Sequence, residues 1–148
     1  MKILVPVDGS ECSSHALDTA VAFAKTLAAE IVVCNVVNLT QVATMSGGEA
    51  QLIESSFEVV QEESAQTLKD ALARVSSEVT ASSMCAEGEP VQEIERIAGE
   101  ITPAFIVIGS HGRSGVARAL MGSVAEGVVR RAAFPVMVVP CRPLHVSS

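Results

Sequence analysis

Runs of apolar, largely β-branched residues recur along the chain, with polar-faced stretches between them. The runs are KILVPV (2–7), EIVVCNVV (30–37), VTASSMCA (79–86), FIVIG (105–109) and PVMVVP (135–140). All but the third are apolar on both faces, as strands covered from both sides must be. The third is mixed and reads as a more exposed strand near a sheet edge. Between the runs, apolar residues return every three or four positions. Ala16, Ala20, Phe23, Ala24 and Leu27 form a stripe within 11–29, and Phe57, Val60, Leu68, Ala71 and Val75 form one within 50–78. Pro90 suits the first turn of a helix that Val91, Ile94, Ile97 and Ala98 continue. Ser123 and Glu126 match a capping box opening a last helix over 123–133, with Arg130 and Arg131 in its final turn and Phe134-Pro135 ending it. The span 38–51, NLTQVATMSGGEAQ, reads as a mobile loop over a site.

Strand–helix alternation of this kind predicts one α/β domain over 1–148, with a parallel sheet and right-handed crossovers. A length of 148 residues is ample for a single core. No apolar run approaches the roughly 18 residues needed to cross a bilayer, and the start MKILVPVDGS lacks a secretory pattern, so a cytoplasmic protein is expected. The four cysteines, Cys12, Cys34, Cys85 and Cys141, form no C-x-x-C pair. Their spacing fits neither a zinc site nor a disulfide framework, so reduced, metal-free cysteines are expected, with Cys34 and Cys85 in the core.

A formal net charge of −7 argues against nucleic acid or an anionic membrane as the main partner. The charge is uneven, however: residues 113–131 carry Arg113, Arg118, Arg130 and Arg131 against Glu126 alone. An anionic ligand is therefore expected to be small and local.

The candidate chemistry lies at two strand ends. In an open parallel sheet, ligands sit at the carboxyl ends of strands where the strand order reverses. The first strand runs into Asp8-Gly9-Ser10, and the fourth into Gly109-Ser110-His111-Gly112, followed nine residues later by Gly122-Ser123. Bare glycines let main-chain N–H groups approach an anion, and a helix starting at Gly122-Ser123 offers unpaired N–H groups to phosphate. Arg113 and Arg118 add charge-assisted contacts. Asp8, repelled by phosphates, is suited to ribose hydroxyls or a bridging Mg²⁺. Ser10 reads as the N-cap of the first helix. The pattern is not a Walker A loop, since no G-K-[ST] follows, and the first strand lacks G-x-G-x-x-G.

On these motifs, V-P-V-D-G-S at Val5–Ser10, G-x-x-G-x(9)-G-[ST] at Gly109/Gly112/Gly122/Ser123 and P-V-M-V-V at Pro135–Val139, the chain resembles the universal stress protein family along its whole length. The resemblance implies a Rossmann-like, adenine nucleotide alpha hydrolase-like fold, with a five-stranded parallel sheet in the order 3-2-1-4-5. It further implies the ATP-binding branch of the family. Pro6, Val7 and Asp8 would lie against base and ribose, Val36 would line the adenine pocket, and Ile108 and Gly109 would flank the base. Ser110, His111, Gly112, Arg113, Ser114 and Gly115 would wrap the phosphates, and Gly122, Ser123, Val124 and Ala125 would complete that end. The chain departs from the family pattern at Phe105, where aspartate is frequent, at Asn35, where histidine is frequent, and at Ala125, which has no hydroxyl.

Three functions follow as expectations. The first is a regulatory stress-response module binding ATP, or AMP or ADP, with or without Mg²⁺, and turning it over slowly or undetectably. The second is a slow ATPase or phosphotransferase using His111 and Asp8. The third is an interaction protein independent of nucleotide. An apolar edge strand at 136–140 invites pairing, so a homodimer is expected, as the resemblance also implies.

Overall fold

A computed structural model describes residues 1–112 and 121–141. In chain order its elements are β1 (Lys2–Pro6), α1 (Glu11–Leu27), β2 (Glu30–Asn38), α2 (Leu39–Ser46), α3 (Ala50–Arg74), β3 (Ala81–Gly88), α4 (Pro90–Ile101), β4 (Phe105–Gly109), α5 (Ser123–Arg131) and β5 (Val136–Val139). The strands form one sheet in the order β3-β2-β1-β4-β5, and every pairing is parallel. The expected α/β fold and strand order are those observed.

Strand alternation divides the core between the sheet's two faces. On one, Ile3, Val5, Ile31 and Val33 pack with Leu17 and Ala20 of α1 and Leu68 and Ala71 of α3. On the other, Leu4, Val32, Cys34 and Ile106 pack with Ile94 and Ile97 of α4 and Val128 of α5. Phe105 belongs to the first face, where its ring meets Phe23 edge-on at 6.0 Å. An aspartate at 105 would have no place in that contact, which accounts for the departure from the family pattern. β3 is at the sheet edge and largely half-exposed or exposed, as its mixed sequence predicts.

Three expectations are corrected. The span 38–51 is not a loop: Asn38 Oδ1 accepts from the N–H groups of Thr40 and Gln41 and caps α2, whose Val42 and Ser46 are buried. The helix ends at Gly47 and Gly48, whose φ angles of 61° and 86° favour glycine. The capping box at Ser123 does not form. Gly122 is the N-cap, its N–H donates to Ser110 O, and no side chain caps α5. Glu126 instead pairs with Arg130 at 2.8 Å. Third, the cysteines are not all reduced, and not all are core: Cys12 and Cys141 are joined in a disulfide, Cys34 is buried, and Cys85 is exposed on the edge strand. Burial pushes the Cys34 thiol up to about 12, with Cys85 nearby adding to the rise.

Candidate functional site

A crevice of about 560 Å³ opens at the carboxyl ends of β1, β2 and β4, within the range of small-molecule sites. It lies where the strand order reverses between β1 and β4, as expected of an open parallel sheet.

The β1 side is held by a turn. Pro6 and Val7 end the strand, and Asp8 Oδ1 accepts from Ser10 N–H at 2.9 Å across Gly9, whose φ is 81°. Ser10 in turn caps α1 by accepting from Ser13 N–H at 3.2 Å, as its sequence position predicts. The other carboxylate oxygen of Asp8 faces Gly112: a Cβ there would lie 2.6 Å from Oδ2. The two strand ends singled out by sequence therefore touch.

The apolar wall comes from the face covered by α4 and α5. Val36, Ile94, Ile108 and Val124 line the crevice and pack with that core. Ala125 lines it too and is buried against the same core. Asn35, the other departure from the family pattern, donates Nδ2–H to Val7 O at 2.7 Å and accepts from Ser64 Oγ–H at 2.6 Å. It ties the end of β1 to α3 beneath the crevice.

The glycine segment is more self-bonded than the sequence implies. Ser110 N–H donates to Val139 O at 2.8 Å, Gly122 N–H to Ser110 O at 2.5 Å, and His111 N–H to Cys12 Sγ at 3.4 Å. These three amides, expected to face phosphate, are engaged within the chain. The crevice receives instead the start of α5. A helix leaves its first four N–H groups without intrahelical partners. Gly122 uses one internally, and Ser123, Val124 and Ala125 carry the rest at the crevice lining. Gly109 backs onto α1 so closely that a Cβ would lie 2.9 Å from Cys12 O. Gly122 sits behind the lining, against the His111 Cα and Ser110 O.

Of the predicted site residues, Pro6, Val7, Asp8, Val36, Ile108, Gly109, His111, Gly112, Ser123, Val124 and Ala125 line the crevice. Ser110 and Gly122 support it from behind. Arg113, Ser114 and Gly115, with Arg118, lie outside the described residues. Among the described lining residues none is lysine or arginine. Arg130 and Arg131 pair with Glu126 and Glu95. The sequence reading missed Asn38, Thr40, Gln41 and Thr44, which α2 presents at the rim. Asn38 before Leu-Thr-Gln was the available signal, as a capping residue. No cluster of three metal-ligating side chains occurs among the described residues, and no helix among them is long and apolar enough to cross a membrane.

Comparison with known proteins places these features in context. The family model described as the universal stress protein family matches residues 1–140. A universal stress protein of Methanocaldococcus jannaschii, MJ0531, is 36% identical over 141 residues, covering 93% of this chain and 81% of its own. The solved structure of MJ0577, from the same organism, superposes with a TM-score of 0.75 at 27% identity, covering 96% of both chains. A universal stress protein family member of Arabidopsis thaliana, solved with AMP bound, gives a TM-score of 0.72 over all of this chain and 95% of its own. Its 16% identity makes that a likeness of fold.

Proposed function

The chain belongs to the universal stress protein family, and we propose that it binds an adenine nucleotide, ATP foremost, as a regulatory module in the stress response. One observation carries the reading: a single crevice joins an apolar slot to the open N-terminus of a helix, with a carboxylate between. Val36, Ile94 and Ile108 suit a base, Asp8 suits ribose hydroxyls, and the first turn of α5 suits phosphate. The Arabidopsis relative indicates what the fold can hold, and the case for this chain rests on its own residues. With no three-ligand cluster among the described residues, Mg²⁺ would arrive with the nucleotide, and Asp8 is the residue beside it.

The reading is binding without turnover. Hydrolysis requires a positioned water and a base, and His111 Nδ1 lies 3.0 Å from Ser110 Oγ, turned to its own chain. The module is proposed to act as a homodimer through β5. That strand is an outer strand of the sheet, and all four of its residues are half-exposed.

Thermal unfolding with and without ATP and Mg²⁺ tests the nucleotide reading. Ligand at ~100 times its dissociation constant stabilises by about 2.7 kcal/mol. An unchanged Tm at millimolar ATP would reject it.

A further inference from the structure

Beside the crevice lies a second chemical feature. The Cys12–Cys141 disulfide links the first turn of α1 to the residue just beyond β5. Ser110 Oγ lies 3.7 Å from Cys12 Sγ and 3.5 Å from Cys141 Sγ, and His111 Nδ1 lies 3.7 Å from Cys141 Sγ. The two sulfurs differ in setting. Cys12 is only 4% exposed, whereas Cys141 is half-buried and the more exposed of the two.

We propose that this pair is a thiol–disulfide exchange site for low-molecular-weight thiols and their disulfides, with Cys141 the attacked sulfur and Cys12 the leaving group. Exchange runs fastest when the departing sulfur is stabilised as a thiolate. Cys12 has two such sources of stabilisation. It is the second residue of a 17-residue helix, at the positive end of the helix dipole, which favours negative charge. Independently, the His111 N–H already donates to its sulfur at 3.4 Å.

The thiolate of a small thiol attacks Cys141 Sγ; the new sulfur–sulfur bond forms as the Cys12–Cys141 bond breaks, and the electron pair leaves on Cys12. A second small thiolate attacks the mixed disulfide at the small molecule's sulfur and releases Cys141, which takes a proton from water. Two small thiols are oxidised to one disulfide while the protein disulfide is reduced to two thiols. In reverse, Cys141 loses its proton to water and attacks a small disulfide, releasing one small thiolate; Cys12 then attacks Cys141 Sγ and closes the bond as the second small thiolate leaves.

The test uses the full chain in native buffer. The oxidised protein is incubated with reduced glutathione, quenched with N-ethylmaleimide and weighed intact. Loss of the disulfide without denaturant is expected, and a bond that opens only when the chain unfolds would overturn the proposal. A second arm uses Cys12→Ser and Cys141→Ser, each with Cys85→Ser to remove the exposed thiol, treated with oxidised glutathione. Cys12→Ser should gain one glutathionyl group at Cys141 at least tenfold faster than Cys141→Ser gains one at Cys12. Equal rates, or a faster adduct at Cys12, would overturn the assignment of roles. Neither arm depends on nucleotide binding, so its failure is distinct from failure of the nucleotide reading.

Discussion

The Asp8 carboxylate and the Cα of Gly112 meet across the crevice with no room for a methyl group, since a Cβ on Gly112 would lie 2.6 Å from Asp8 Oδ2. Asp8 is not free to step aside, because its other oxygen holds the Ser10 N–H at 2.9 Å. The contact fixes the carboxylate at the junction of the apolar slot and the start of α5.

Gly112→Ala should therefore displace Asp8 and lower ATP affinity at least tenfold. The change in unfolding free energy should stay near 1 kcal/mol, as for a substitution outside the core. In an Asp8→Ala background the same substitution should add little, because the colliding group is gone. Calorimetric titration of the four proteins reads the coupling directly. Additive losses would mean that Gly112 acts on the ligand independently of Asp8.

The disulfide spans 129 residues of chain, so its reduction releases a large loop in the unfolded state. Urea unfolding with and without reductant should show a loss of about 2–4 kcal/mol. Reduction should also weaken ATP binding severalfold, because it releases the Cys12 sulfur to which the His111 N–H donates, and His111 lines the crevice. Titration of ATP into oxidised and reduced protein measures this. Equal affinity in the two states would separate the redox pair from the ligand site.

Cys34 sets a pH limit. Its folded-state value lies at about 12, above the ordinary 9.0, because burial disfavours the thiolate. The sign follows: below pH 9 both folded and unfolded chains hold the proton, and the contribution is complete. As pH rises through 9 toward 12 the unfolded chain ionises first, and stability on the order of 4 kcal/mol is lost. Urea midpoints between pH 8 and 10.5 should fall more steeply in the native sequence than in Cys34→Ala. At pH 8, iodoacetamide should label Cys85 and spare Cys34.

Assembly is read from solution mass. Light scattering at micromolar concentration should report a dimer, and Val138→Lys should shift it to monomer while ATP still binds. A monomeric native protein would remove β5 as an interface.

Much of this architecture is visible in the residue pattern. Four of the five strands declare themselves as doubly apolar runs, because both faces of a covered parallel strand need such residues, whereas the edge strand β3 is mixed. Asp8 and the spaced glycines mark the crevice, because few other roles require them at strand ends. α2 escapes notice because it buries only Val42 and Ser46, and its start is set by the Asn38 side chain. The disulfide escapes because its two cysteines lie 129 residues apart and belong to no spacing motif. The helix α5 opens at Ser123 as its sequence predicts, but its N-cap is Gly122, and the bond from Gly122 N–H to Ser110 O leaves no mark in the residue pattern.

The short helix α2 has a further consequence. It is anchored by two buried residues, begins at an asparagine side chain and ends in two glycines with nothing near their Cβ positions. It carries Thr40, Gln41 and Thr44 to the rim without contributing to the sheet. The mouth of the crevice and the sheet that frames it thus belong to separate segments, so exchanging those three side chains should alter the entrance while the β-framework beneath stays as it is.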